Sequence, residues 1–191
     1  RRKKTMAYLV PSEFVTKMVD AGESKIYMST RDTLIRAFMA SAILSLAAVF
    51  AVTASVMSGS ALVGAILFPV GFCMLYLLGF DLLTGVFVLT PLAWLDKRPG
   101  VTVRGILRNW GLVFAGNFLG ALVVAFMMAF IFTYGFSVPP NEVGQKIGHI
   151  GESRTLGYAQ YGLMGWITIF IRGMLCNWMV STGVVGAMIS T

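Results

Sequence analysis

The chain has 191 residues, of which 57% are apolar and 12% charged, and its formal net charge is +7. A soluble domain scatters charge over about a quarter of its residues, whereas here no Asp, Glu, Lys, Arg or His occurs from Ala37 to Phe80 or from Asn109 to Asn141, runs of 44 and 33 residues. Runs well beyond the roughly 18 residues that suggest a membrane span exclude an ordinary soluble domain and predict a polytopic, all-α membrane protein, beside which a basic excess reads as the positive-inside bias rather than as nucleic-acid binding.

The first apolar run is too long for a signal peptide and is followed by others. Ahead of it, Pro11 to Met28 sets Phe14, Val15, Met18 and Val19 at helical spacing among Glu13, Lys17, Asp20 and Glu23. Two readings stand for this amphipathic helix: it lies on the membrane surface, behind Arg1, Arg2, Lys3 and Lys4, or it packs on another helix of the same protein. Residues 1–36 hold eight Lys or Arg against four acids, which puts the N-terminus in the cytoplasm. Residues 1–33 are thus a cytoplasmic N-terminal segment and residues 34–191 a transmembrane domain.

Span 1 covers about 34–57 and ends at Ser58, Gly59 and Ser60. The next segment, 61–95, would be about 52 Å long as one helix, against a hydrocarbon core of about 30 Å. Pro69, Gly71, Gly79, Asp81, Gly85 and Pro91 fall inside it, so a helix broken near 79–85 is predicted. Irregular backbone at membrane depth is tolerated only where protein or a water-filled cavity satisfies its polar groups, which makes the break a pointer to a transport site.

Lys97, Arg98, Arg104 and Arg108 mark the following turn as cytoplasmic. Span 3, about 102–135, holds Gly116 and Gly120 at GxxxG spacing, a close-packing signal. A polar outer loop, Gly135 to Arg154, leads to span 4 at about 157–189. The chain begins without Met and stops at Thr191 directly after an apolar run, the look of a piece of a longer protein.

Asp81 is the one acid within the apolar part and either caps backbone N–H groups freed by the break or carries protons. Thr84 lines a pore or caps the resumed helix. Phe68 and Phe72, four apart, share a helical face before the break, as core packing or as a hydrophobic constriction that rejects hydrated ions. Arg172 must face protein, water or an anion rather than lipid. Asn177, about 140° away on the helix, need not share its face. Cys73 and Cys176 lack ligand spacing and His149 is the single histidine, so no metal site or cofactor is expected. No nucleophile–base pair marks an enzyme.

Four stretches carry a resemblance: Phe68-Pro-Val-Gly-Phe72; Leu78-Gly-Phe-Asp-Leu-Leu-Thr-Gly85; Arg108-Asn-Trp110 with Gly116-Asn-Phe-Leu-Gly-Ala121; and Arg172-Gly-Met-Leu-Cys-Asn-Trp-Met-Val180. In this order they resemble the formate/nitrite transporter family over nearly the whole chain. The resemblance implies an aquaporin-like bundle of two inverted three-helix repeats, of which this chain holds the first four of six spans, and a homopentamer with one pore per protomer. It also implies that Phe68 belongs to an outer and Phe72 to an inner constriction narrowed by Leu82 and Leu83. Gly79, Asp81, Thr84 and Gly85 fall in the pore loop, with Thr84 facing a central histidine of the fifth span and Asn177 on the pore side of span 4. That histidine would lie beyond Thr191 and is not His149.

The expected function is therefore passage of small monovalent anions of weak acids, such as formate or nitrite, across the cytoplasmic membrane with proton linkage. Two alternatives accompany it: a water or small-neutral-solute channel, against which stands the lack of an Asn-Pro-Ala motif, and a membrane scaffold that transports nothing.

Overall fold

The computed structural model of the protein describes residues 8–189; Arg1 to Lys4 lie outside the described residues. Nine helices follow one another among them: α1 (Pro11–Tyr27), α2 (Thr30–Ser58), α3 (Ala61–Leu67), α4 (Pro69–Leu77), α5 (Leu83–Leu95), α6 (Val103–Phe132), α7 (Glu142–Arg154), α8 (Leu156–Ala159) and α9 (Gly162–Ile189). By length and composition α2, α6 and α9 can each cross a membrane, and the protein is an all-α, multi-pass membrane protein. Large apolar side chains such as Phe126, Phe170 and Trp178 are exposed, as suits surfaces that face lipid or other helices rather than water.

Hydrogen-bonding residues at the helix starts set where the long helices begin. Ser29 accepts the Asp32 N–H at 3.0 Å and donates to the Asp32 carboxylate at 2.8 Å, so α2 begins at Thr30, four residues before the apolar run suggests. Hydropathy misses this first turn because its residues are polar, while the N-cap and an acid near the helix's positive end favour it. Thr102 plays the same part for α6, accepting the Gly105 N–H at 3.1 Å.

Helix α2 is central and packs against α3, α4 and α6. The α2–α6 contact runs along the GxxxG pair. A methyl group on Gly116 would lie 2.6 Å from the Ala37 Cβ, and one on Gly120 would overlap the Phe38 carbonyl oxygen. Ala37 and Ala40 on the facing side are fully buried. Small residues on both helices thus let the backbones touch, which is how helices associate where no hydrophobic force distinguishes protein from lipid.

Helix α5 packs between α6 and α1. The stripe Met18, Val19, Gly22 and Ile26 of α1 is buried, and Gly22 lies directly against the Leu89 carbonyl of α5. Of the two readings of the amphipathic helix, packing on the protein is therefore realised. Arg98, in the turn after α5, meets Asp20 at 2.8 Å, Glu23 at 3.4 Å and Asp96 at 2.8 Å. Its guanidinium is held above the ordinary arginine value, chiefly by the hydrogen bond to Asp96 and with help from the charges of Asp20, Asp96 and Glu23, against partial desolvation. The Tyr27 hydroxyl donates to the Pro99 carbonyl beside it.

Two segments differ from the hydropathy pattern. The polar stretch before span 4 contains a helix, α7, capped by Asn141 through the Gly144 N–H at 2.9 Å; polarity excludes a span there but not a surface helix. The stretch 157–189 is not one helix, because Gly162 adopts φ +53° and turns α8 back upon α9.

Candidate functional site at the helix break

Helix α4 ends because Gly79 takes the left-handed conformation, φ +70°. The Gly79 N–H bonds the Tyr76 carbonyl at 3.1 Å and the Phe80 N–H bonds the Leu75 carbonyl at 2.9 Å. Those two bonds form a Schellman closure, which satisfies the last carbonyls of a helix and favours glycine at this position. Arg36 on α2 donates to the Gly79 carbonyl at 3.4 Å. The chain is then extended at Leu82, and α5 starts at Leu83 without a capping side chain of its own.

The cap comes from α6. Asn117 Oδ1 accepts the Leu83 N–H at 2.9 Å, and Asn117 Nδ2 donates to the carbonyls of Asp81 at 2.9 Å and Ala37 at 2.8 Å. One amide thus uses its acceptor and both donors to join α2, the break and α6. It can reach both because its neighbour Gly116 brings α6 against α2.

The Asp81 side chain does not cap the break. It is 4% exposed and pairs through Oδ1 with Lys25 Nζ of α1 at 2.5 Å. Its Oδ2 is buried and has no partner among the described residues. Lys25 is steadied from α6, since the fully buried Asn109 donates to its carbonyl at 3.1 Å. An ion pair this deep is a strong local constraint, because removing either partner strands a buried charge.

The other residues named from sequence are only partly gathered. Phe68 and Phe72 meet edge to face with centroids 5.6 Å apart, Phe68 joining α3 to α4 with helical backbone angles and Phe72 lying in α4. Leu82 is half-buried, and Leu83 packs on the core cluster of Ala37, Val86 and Val113. Thr84 and Gly85 lie past the break, in the first turn of α5, where the Thr84 hydroxyl makes no hydrogen bond with a described residue and a methyl group on Gly85 would meet open space. Arg172 and Asn177 stand apart on the exposed middle of α9, which touches α1 and α5 through Val184, Val185 and Met188. Arg172 donates to the Tyr158 hydroxyl of α8 at 2.5 Å. Among the described residues no three His, Cys, Asp or Glu side chains gather as a metal site.

Lys25, Asn109 and Asn117 escape a reading by hydropathy, yet each leaves a trace. Lys25 falls on the apolar stripe of α1, seven residues after Met18. The two asparagines lie in an otherwise uncharged run, where a buried amide must find partners.

Compared with known proteins, residues 12–191 match the profile of a family described as formate/nitrite transporter. The uncharacterized transporter YrhG of Bacillus subtilis is 28% identical over 94% of this chain and 65% of its own length. A probable formate transporter of Methanothermobacter thermautotrophicus is 32% identical over 61% of this chain and 43% of its own. The formate channel FocA of Haemophilus influenzae is 34% identical over 76% of this chain and 49% of its own. The chain spans less than two thirds of the length of each of these three relatives.

Proposed function

The chain belongs to the formate/nitrite transporter family, and on that premise we propose that it is the pore-loop half of a channel for small monovalent anions of weak acids, formate foremost. The observation that carries this is the break between α4 and α5. Its backbone is non-helical over 78–82 between two apolar helices, it is braced by Asn117 and by the Lys25–Asp81 pair, and the first turn of α5 beyond it carries Thr84, whose hydroxyl makes no hydrogen bond with a described residue, and Gly85, which has open space beside it. Backbone of that kind is stable in a bilayer only against protein or a wet cavity.

In this reading the assembled protein has the aquaporin-like arrangement of six spans, forms a homopentamer in the cytoplasmic membrane and keeps its N-terminus in the cytoplasm. Phe68 and Phe72 line the route before the loop, with Leu82 and Leu83 beyond them. An apolar constriction resists a bare anion because desolvating charge in a low dielectric costs far more than desolvating a neutral acid. Passage is therefore linked to protonation near Thr84, and Asn177 lies on the pore side of its helix.

The test is flux in proteoliposomes. Formate or nitrite uptake that saturates and vanishes on blocking the pore supports the reading; its absence overturns it. Water permeability without anion flux would point instead to a neutral-solute channel, and neither flux to a scaffold.

A further inference from the structure

The starts of α2 and α6 gather cations that no acid answers. Arg104 and Arg108 are four apart on α6 and so share a face, one turn from each other. Arg108 donates to the Thr30 hydroxyl of α2 at 2.6 Å, which ties the first turns of the two helices together and places Arg31, the residue after Thr30, at the same joint. All three arginines are exposed, and neither Arg31 nor Arg104 makes a hydrogen bond or ion pair with a described residue.

The chain has eight acids, and each is engaged or placed elsewhere. Asp20, Glu23 and Asp96 surround Arg98, and Asp81 holds Lys25. Asp32 accepts from Ser29 and lies two residues past Thr30, about 200° around α2, so it points away from Arg108. Glu13 accepts the Val10 N–H at the start of α1. Glu142 and Glu152 belong to α7, which meets α6 at its far end, Gly144 against Phe132. Like charges one helical turn apart repel, and the positive ends of two helices add to them. The positive-inside bias accounts for cations on this membrane face, but not for their convergence at one joint without a counter-charge.

Beyond the arginines the surface is apolar. The face that carries Arg104 and Arg108 continues along α6 through Gly111, Ala115, Leu119 and Leu122, at the spacing of one stripe. Gly111 has open space beside it, and Leu119 and Leu122 are half exposed. From Arg108 to Leu119 the helix advances about 16 Å, which is one leaflet of a hydrocarbon core about 30 Å thick.

We propose that this joint holds an anionic phospholipid, its phosphate among Arg31, Arg104 and Arg108 and an acyl chain along Gly111, Ala115, Leu119 and Leu122. Guanidinium forks match phosphate oxygens with paired N–H groups, and basic pockets between membrane helices take anionic headgroups on the same principle. A free phosphate ion meets the arginines alone, whereas a phospholipid matches charge and apolar stripe together, in the order and over the depth at which the two occur. The interaction stands whatever solute the protein passes.

Native mass spectrometry of the protein in detergent, titrated with phosphatidylglycerol or with the net-neutral phosphatidylcholine, tests it. Wild type should retain phosphatidylglycerol in preference. R104Q should weaken that retention about fivefold and R104Q/R108Q about thirtyfold, the scale of one and two arginines near an anionic headgroup, with phosphatidylcholine little changed. R104K/R108K should keep most of the affinity, and L119A/L122A should weaken both lipids alike. Arg104 bonds no described residue, so R104Q decides the matter if loss of the Arg108–Thr30 bond prevents folding. Equal retention of the two lipids by wild type, or an unchanged preference in the glutamine variants, overturns the site. Displacement of phosphatidylglycerol by inorganic phosphate but not by chloride of equal ionic strength identifies a free-ion site and overturns the lipid. A fall in subunit number in R104Q/R108Q with lipid retention unchanged makes this face a contact between copies and overturns it too.

Discussion

Lys25 Nζ lies 2.5 Å from the Asp81 Oδ1 in an environment that leaves the carboxylate 4% exposed, so the N-terminal helix is bonded to the interior of the helix break rather than merely laid over it. Truncating Lys25 to Met should strand Asp81 and destabilise the protein by about 3–5 kcal/mol. The double variant K25M/D81N should recover a substantial part of that loss, because a neutral amide tolerates burial better than an unpaired carboxylate. Thermal unfolding in detergent checks both; a K25M protein as stable as wild type would show that the pair is not a constraint.

Asn117 serves three backbone groups at once. N117A should leave the Leu83 N–H and the carbonyls of Asp81 and Ala37 without partners, at about 1–3 kcal/mol for each group that water cannot reach. N117D should be no milder: it keeps an acceptor for Leu83 but turns both carbonyl partners into repelling neighbours. Hydrogen exchange at the first amides of α5 should accelerate in either variant, and protection equal to wild type would remove Asn117 from its bracing role.

Two glycines of α6 offer a matched comparison. G120A places a methyl group on the Phe38 carbonyl and should cost about 1–3 kcal/mol by forcing α2 and α6 apart. G111A meets nothing within 4 Å and should stabilise by about 0.5–1 kcal/mol through helix propensity alone. Melting temperatures shifted in opposite directions would establish the crossing point; equal shifts would dismiss it.

Phe72 tests the proposed constriction. F72A opens the edge-to-face pair with Phe68 and should raise the flux of larger carboxylates relative to formate, because an apolar narrowing discriminates by size and hydration. Flux ratios identical to wild type would move the constriction elsewhere.

Arg98 links the first helix to the turn after α5 through three acids. R98M should make the joint between α1 and α2 more sensitive to protease, and high salt should reproduce part of the effect on wild type, since exposed charge pairs are screened. A raised guanidinium contributes fully below the ordinary arginine value and loses its effect only as the pH climbs through the raised one, so raising the pH from neutral to mildly alkaline should not loosen the joint. Cleavage independent of Arg98 and of salt would show that the apolar stripe of α1 suffices.

How far the molecule can be read from its sequence depends on the range of the interaction concerned. The position of Gly79 marks where α4 stops because φ preference acts within one turn, whereas the separation of α3 from α4 at Phe68, before the missing N–H of Pro69, falls outside the break expected near 79–85. Gly116 and Gly120 announce a close contact but not the helix they meet. Asp81 is conspicuous as an acid among apolar residues, a signal that fits capping and proton carriage alike, but its side chain goes to Lys25 and the capping falls to Asn117.

The membrane class, the long apolar helices, the interruption between α4 and α5 and, through ordered motifs, the family are all legible along the chain. All of these rest on hydropathy and backbone preference summed along short windows. What holds the interruption in place is settled by contacts between helices distant in the chain. The Leu83 N–H finds its acceptor 34 residues away and the Ala37 carbonyl its donor 80 residues away, and no local preference encodes which buried polar group will meet which. That choice is made when Gly116 and Gly120 let α6 touch α2, because in an apolar interior each freed N–H and C=O must be satisfied by whatever polar side chain the packing brings within reach.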